Sequence, residues 1–572
     1  MRRALILWCA AAALGGCSQT AHLHLARGSE RWHTPAAVRP SSAEAEHATV
    51  AAAKKPNDCD GAKVKAYNHQ VCCTDVQELV APENLAELER AVTSAKHVRV
   101  VANSHTSNQQ ICTDGVAISV ANFNQIHGLR RKGGFEWVDV DAGVRLSDLT
   151  RWLYERGWSI GYSMIGFRGI TIGGGLATAV HGSSLTHPSV LSARLVYIQF
   201  VDGEGRTHEL TRPAPPPPGG QPDALAGARL QWRALCGNVG MLGVVTRVGL
   251  EVERRFNLDV HTDFMGEDVL WQKGVETLVG GCDWGQLVWL PRAKKVMRMC
   301  GMQTLQEPDP GASNSLLAPH VEAGAMSAFK ELMEDTIANG AYLCTIESER
   351  WSQLKSYPPF VKDCCCKTRY DAHVVGPADL MMSSELTEHQ DSIAEIDYEL
   401  AVPLSEAKAA LARVRDYARD KRLCMPLIGA FLRFSPVEDH TLIGHSVTDD
   451  AAFKDQKVMF LEFVVYVLHE AEEPREASKQ RQYYDAYREL ARQIVEHHHG
   501  RPHWAKNETL LFQEERKDDA AYRARLHQFH CFVHRFDPNN RFGNAFTAEV
   551  GLTPSQSERE HLGDCVMPSE QP

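Results

Sequence analysis

After its first fourteen residues the chain has no apolar run approaching the ~20 residues that a membrane-spanning helix needs. It also has no basic block: 61 Lys+Arg stand against 72 Asp+Glu, a formal charge of −11. Binding to a phosphate backbone depends on clustered positive charge, so nucleic acid is excluded as a partner. No internal repeat is evident. What is present is ordinary globular material, 44% apolar and 23% charged over 572 residues, which excludes wholesale disorder and fibrous folds. At ~150 residues per domain the length suggests two to four domains.

The N-terminus carries an address. Arg2 and Arg3 precede the apolar run Ala4 to Leu14, too short to span a bilayer and typical of a secretion signal. Leu14-Gly15-Gly16-Cys17 then resembles the lipobox of bacterial lipoproteins, which implies cleavage before Cys17 and lipidation of its thiol. Each buried CH₂ contributes ~0.8 kcal/mol, so several acyl chains anchor where one does not. Ser18 in place of an Asp favours the outer membrane; without lipidation the protein is secreted. Cys9 and Cys17 leave fourteen of the sixteen cysteines, an even number that suggests disulfides of unassigned pairing. Adjacent Cys72-Cys73 and Cys364-Cys365-Cys366 are badly spaced for zinc, and His497-His498-His499 has no partner motif, so no metal is expected.

Residues 1–17 are therefore signal and 18–56 a tether rich in Ala, Ser, His and Pro. From residue 57 to 255 short strands and helices alternate. Leu85, Leu88, Val92 and Ala95 mark a helix. Val98–Val101, Val116–Val120, Trp137–Asp141, Leu195–Val201 and Val244–Leu250 read as strands, and Ser147–Gly157 as a short helix. The proline run within residues 213–222 must be an exposed loop. Residues 256–499 form a second block with strands at Ile428–Phe434 and Val458–Val467 and helices at Ser405–Tyr417 and Lys479–Val495. Residues 500–572 carry motifs of their own.

The chemistry lies in small-residue loops. Asn103-Ser104-His105-Thr106-Ser107 follows a strand, and such a turn leaves backbone N–H groups free to face a pyrophosphate. Gly143 precedes a helix. Thr171, Gly173 and Gly174 lie in one glycine cluster, followed by Thr178, His181, Gly182 and Ser183, and later by Gly240, Gly243 and Val245. Glycine at this density permits close backbone approach to a ligand. The cluster is not a Rossmann fingerprint, because Thr178 stands where G-x-G-x-x-G requires its third glycine.

Taken in order, these segments resemble the FAD-binding domain of the vanillyl-alcohol oxidase superfamily. Within it they resemble the sugar-1,4-lactone oxidases (L-gulonolactone, D-arabinonolactone and alditol oxidases), most of all the plant gulonolactone branch. Cys236 to Val245, Val288-Trp289-Leu290-Pro291, the His503-Trp504-Ala505-Lys506 segment and Phe536-Asp537-Pro538 to Phe542 extend the match. The resemblance implies an α+β fold: a two-subdomain PCMH-type FAD-binding domain, a cap (substrate) domain with a large antiparallel sheet, and a C-terminal segment completing the active site. It implies FAD bound by the small-residue loops, attached covalently through His105, with Lys506, Arg433 and His503 at the substrate. Two departures stand out. Ala102, Asn103 and Ser104 replace glycines before His105, and Phe431-Leu432-Arg433 lacks the acid of the relatives' Glu-x-Arg.

The activity implied is hydride transfer from a lactone carbinol carbon to flavin N5, with O₂ as acceptor giving H₂O₂. Alternatives are an alditol oxidase, a dehydrogenase passing electrons to a quinone or cytochrome (a bulky Ile165 near the flavin edge would favour this by slowing oxygen), and a non-catalytic lipid-anchored binding protein.

Overall fold

The computed structural model describes residues 59–562 and 565, apart from 60, 68–70, 133–134, 164–168, 218–222, 313–366, 368, 384–394, 426–428, 438, 449, 454–456, 469–473 and 517–519. Cys9, Cys17, Ile165 and Cys364 to Cys366 lie outside the described residues. Among those described, no helix is long and apolar enough to cross a membrane.

The helix foreseen near residue 85 runs Leu85–Ser94 and starts where Asn84 accepts the amide of Glu87 at 3.0 Å. This is the side-chain cap that an otherwise unpaired first turn requires. Leu88 and Val92 are buried from it against a three-stranded parallel sheet in the order Glu78–Val80, Val116–Ser119, Val98–Val101. A five-stranded antiparallel sheet follows, ordered Thr207–Thr211, Leu195–Val201, Val244–Glu251, Phe135–Asp141, Ile126–Lys132. Helix Leu146–Glu155 turns Leu149 and Leu153 inward. The described prolines of the 213–222 loop are exposed or half-buried.

The second block is built on an eight-stranded antiparallel sheet. Its order is His373–Pro377, Asn257–Gly266, Lys295–Thr304, Trp284–Leu290, Ala430–Pro436, Lys457–Tyr466, Glu395–Pro403 and Arg501–Pro502. Helices Ala407–Lys421 and Pro474–His498 lie along it. The last strand belongs to the C-terminal segment. From there the chain returns to the first block, where Val98 N donates to Arg541 O and Gly203 N to Phe536 O, each at 2.7 Å. One apolar cluster takes in Val138 and Phe200 from before residue 255 together with Trp284, Leu442 and Phe512 from after it.

Disulfides join Cys59–Cys72, Cys73–Cys112, Cys282–Cys300 and Cys531–Cys565. Adjacent residues of a strand face opposite sides, so Cys72 and Cys73 each reach a different partner. The two bonds staple the short hairpin of Val64–Lys65 and Cys72–Cys73 beside the 103–107 loop. Cys236 is buried and unbridged, its thiol pushed up to about 12 by burial.

Candidate active site

A cleft opens where the two sheets and the C-terminal segment meet. One wall is the 103–107 loop. Ser104 adopts φ +52°, the left-handed conformation that the replaced glycine would supply, and Asn103 donates through its amide side chain to Gly169 O at 2.8 Å. The loop is clamped from far along the chain. Ser107 N and Thr106 Oγ1 donate to Ala505 O at 2.7 and 3.0 Å, and Asn108 Nδ2 donates to Trp504 O at 2.8 Å. The loop motif and the His503–Lys506 motif are thus one structural unit.

Thr171, Gly173, Gly174 and Thr178 form the opposite wall, where Thr171 caps helix Ile172–Ala177 by accepting Gly174 N. A Cβ at Gly173 would come within 2.9 Å of Ala142 Cβ, which ties that helix tightly to the sheet. Gly240, Gly243 and Val245 line the floor, and at Gly240 an added Cβ would meet only the Arg99 guanidinium, at 3.8 Å. Bare main chain therefore faces a long cavity on several sides. Among the described residues the N–H groups of Asn103 and Ser104 have no protein acceptor. A cleft with such walls fits a dinucleotide's pyrophosphate.

Three of the expected lining residues do something else. Gly143 is packed against main chain, where a Cβ would lie 2.2 Å from Val120 O. Gly182 N donates to Ser189 O at 2.7 Å, and Ser183 accepts Phe434 N at 3.1 Å while donating to Gly285 O. Gly182 is tied within the first block, and Ser183 fastens that block to the large sheet.

At the far end of the cleft, Arg433, Lys506, His181 and His503 converge, all buried. Strand Glu395–Pro403 places Glu395, Asp397 and Glu399 on one face, since side chains alternate along a strand, and Glu462 pairs directly across from Glu399. Like charges opposed in this way repel unless cations intervene, and here they do. Arg433 Nη2 lies 2.6 Å from Glu399 Oε1 and 2.5 Å from Glu462 Oε2. Lys506 Nζ lies 3.0 Å from both Asp397 Oδ2 and Glu399 Oε2, and also contacts Glu462. Glu462 is also the cross-strand partner of Phe431. The acid missing from Phe431-Leu432-Arg433 is therefore supplied one strand to the side.

Burial and neighbours set the charges. Burial works to raise Glu399, but Arg433 and then Lys506 and His181 outweigh it and hold that carboxyl well below its ordinary range. Asp397 is driven well above its range by burial, aided by Glu462, Glu395 and Glu399 and only partly opposed by Lys506. Glu395 is pushed up to about 7, chiefly by burial. Lys506 is raised despite burial because Asp397, Glu399 and Glu462 face it. The two cations thus meet shared carboxyl groups, Glu399 drawn down by them and Asp397 driven up by burial.

His181, His445 and His503 bring ring nitrogens within 4.8 Å of one another, and burial lowers all three, His445 to about 3. Both ring nitrogens of His181 face oxygen, Glu399 Oε1 and Gly182 O, each at 3.0 Å. His503 Nδ1 accepts Ala505 N at 3.2 Å. His181 and His503 line the end of the cleft beside Glu399.

Sequence reasoning missed Glu395, Asp397, Glu399 and Glu462, although acids alternating through apolar strands were a visible signal. Arg99 was read only as part of a strand. It is buried at the cleft, donating to Gln110 O, Phe542 O and Val239 O at 2.7–2.8 Å, and burial lowers it to about 10. Tyr67 carried no sequence signal at all. It stacks on His105 with ring centroids 5.0 Å apart and donates to Glu395 at 3.0 Å.

Residues 76–211 match the family model of the FAD binding domain, and residues 248–550 match that of D-arabinono-1,4-lactone oxidase. The chain is 22% identical over 470 residues to an L-gulonolactone oxidase of Scyliorhinus torazame, covering 80% of this chain and 90% of the relative. It is 23% identical over 490 residues to an L-gulono-1,4-lactone dehydrogenase of Mycobacterium tuberculosis (84% and 97%). It is 24% identical over 498 residues to a probable L-gulonolactone oxidase of Arabidopsis thaliana (82% and 79%). Among solved structures, a mutant cholesterol oxidase from Brevibacterium sterolicum superposes with TM-score 0.61 at 13% identity, over 85% of this chain and 96% of that one. That likeness shows a shared fold.

Proposed function

Because this chain belongs to the D-arabinono-1,4-lactone oxidase family, we propose that its cleft binds a sugar-1,4-lactone beside FAD and oxidises a carbinol carbon, with O₂ as final acceptor and H₂O₂ as second product. The observation that carries this reading is the convergence of Arg433 and Lys506 on Glu399 and Glu462 at the end of a cavity walled by bare main chain.

When bound, FAD supplies the two-electron acceptor for the substrate's hydride. The amides of Asn103 and Ser104 would hold its phosphates, with Gly173 and Gly174 permitting close approach and the buried charge of Arg99 behind them, and His105 would attach the ring. Arg433 and Lys506 stabilise negative charge growing on the substrate oxygen as its carbon is oxidised, a type of contact worth about 10²–10³ in rate. Glu399, held ionised, offers acceptor oxygens to sugar hydroxyls, and His503 helps to position them. The non-catalytic alternative rested on the missing acid, and Glu462 removes that ground.

The test is anaerobic mixing with L-gulono- and D-arabinono-1,4-lactone followed by aerobic turnover. Bleaching of the flavin and one peroxide per lactone consumed are expected. An unbleached spectrum overturns the substrate class, and bleaching without peroxide overturns the acceptor. The N-terminal motif supports an exported, lipid-anchored protein. Cys17→Ser should move it from the membrane fraction to the soluble one, and unchanged partition overturns the anchor.

A further inference from the structure

Well away in sequence from the cleft residues, the edge of the eight-stranded sheet carries a second cluster of metal-type ligands. Asp259 and His261 are two apart on strand Asn257–Gly266, so they share a face. On the edge strand His373–Pro377, His373 is the direct cross-strand partner of His261. The two rings lie 4.7 Å apart, tilted by 31°. Both Nε2 atoms point at the same oxygen, Asp259 Oδ1, at 3.2 Å from His261 and 2.7 Å from His373. The three ligand atoms lie within 4.8 Å of one another.

We propose that Asp259, His261 and His373 form a surface site for a divalent transition-metal ion of the zinc or copper type. Ligands held ~2.0–2.1 Å from a tetrahedral ion are separated by ~3.3 Å; the Nε2–Oδ1 separations of 3.2 and 2.7 Å both lie below that value, so the trio opens by a few tenths of an ångström to admit the ion. The ion binds the Nε2 lone pair of each neutral ring, whose single N–H then sits on Nδ1, and only the extra proton of an imidazolium leaves to solvent on binding. Two imidazoles and one carboxylate suit borderline ions and do not suit calcium or magnesium, which prefer all-oxygen shells. Asp309 adds negative potential beside His373 while it accepts from Val375 N at 2.9 Å and Lys367 Nζ at 3.1 Å. His261 and His373 are about half exposed, so the remaining coordination positions open to water. A bound ion cross-links the edge strand to its single neighbour in the sheet.

The probe is Cu²⁺ alone, added in one equivalent to the full chain, with affinity read by competition against a chelator and ligation by electron paramagnetic resonance. Two-nitrogen, one-oxygen ligation is expected, with affinity weakened about tenfold or more in His373→Ala and in Asp259→Asn. Lactone turnover and flavin spectrum should be unchanged in both variants. His497→Ala combined with His499→Ala, which removes exposed rings of the histidine run, should leave the signal intact. Equal affinity in the wild type and the two site variants overturns the proposal, as does loss of the signal only with the histidine-run variant.

Discussion

Asp397 and Glu399 sit two residues apart on the same strand face and both touch Lys506, yet their environments push the two carboxyls in opposite directions. Replacing each by its amide separates the two. In Glu399→Gln, the side-chain oxygen must stay toward Arg433 at 2.6 Å and His181 at 3.0 Å, which turns the amide nitrogen onto the Lys506 ammonium, 3.0 Å from Glu399 Oε2. Two donors then face each other and a buried cation loses a counter-charge, a change that costs about 3–5 kcal/mol. In Asp397→Asn the oxygen stays on Lys506 at 3.0 Å, and the amide nitrogen takes the place of Oδ1, a buried atom with no hydrogen-bond partner among the described residues. Because burial drives the Asp397 carboxyl well above its range while Glu399 is held well below its own, the amide at 397 removes less charge than the amide at 399, and its cost is the smaller of the two. Urea unfolding at pH 7 of both variants, with flavin loading matched, measures the difference. Equal losses, or a larger loss for Asp397→Asn, would refute the assignment of charge in this cluster.

Three further outcomes are expected. Lys506→Met should lower lactone turnover about 10²–10³-fold while flavin absorbance persists; unchanged steady-state turnover removes Lys506 from the reaction. Acid-denatured wild type should keep yellow fluorescence on the polypeptide and His105→Ala should lose it, whereas colour released equally from both defeats attachment at His105. Glu395, buried and pushed up to about 7 from 4.5, contributes stability that is fully present below pH ~4.5 and is lost as pH rises through ~7. The span corresponds to about 3 kcal/mol. Unfolding free energy measured across that window should therefore fall less steeply in Glu395→Gln, and identical slopes would contradict the shift.

Local pattern was enough for many elements. Leu195–Val201 forms a strand with the bounds that its β-rich run suggests, and Leu88 and Val92 bury the helix face that their spacing marks. The helix at residue 405 was legible but short, since Ala407–Lys421 continues one turn beyond Tyr417, through Ala418 on the buried face and then the charged Arg419, Asp420 and Lys421. The glycine loops were legible for a different reason: glycine and small polar residues are needed wherever backbone itself meets a ligand. That logic overreached at Gly143, Gly182 and Ser183, where the close neighbour is the protein's own main chain.

The sequence by itself determined the sheet-rich cap, the FAD-type loops and the family, because these rest on composition, periodicity and contiguous motifs. Only the tertiary structure decided the charge of the active end of the cleft. Arg433, Lys506, Glu399 and Glu462 come from four separate strands or turns, and Glu462 replaces an acid absent beside Arg433 through cross-strand register. Tyr67 reaches His105 only because two disulfides fold its hairpin there. Register and burial are properties of packed neighbours, and linear spacing does not encode them.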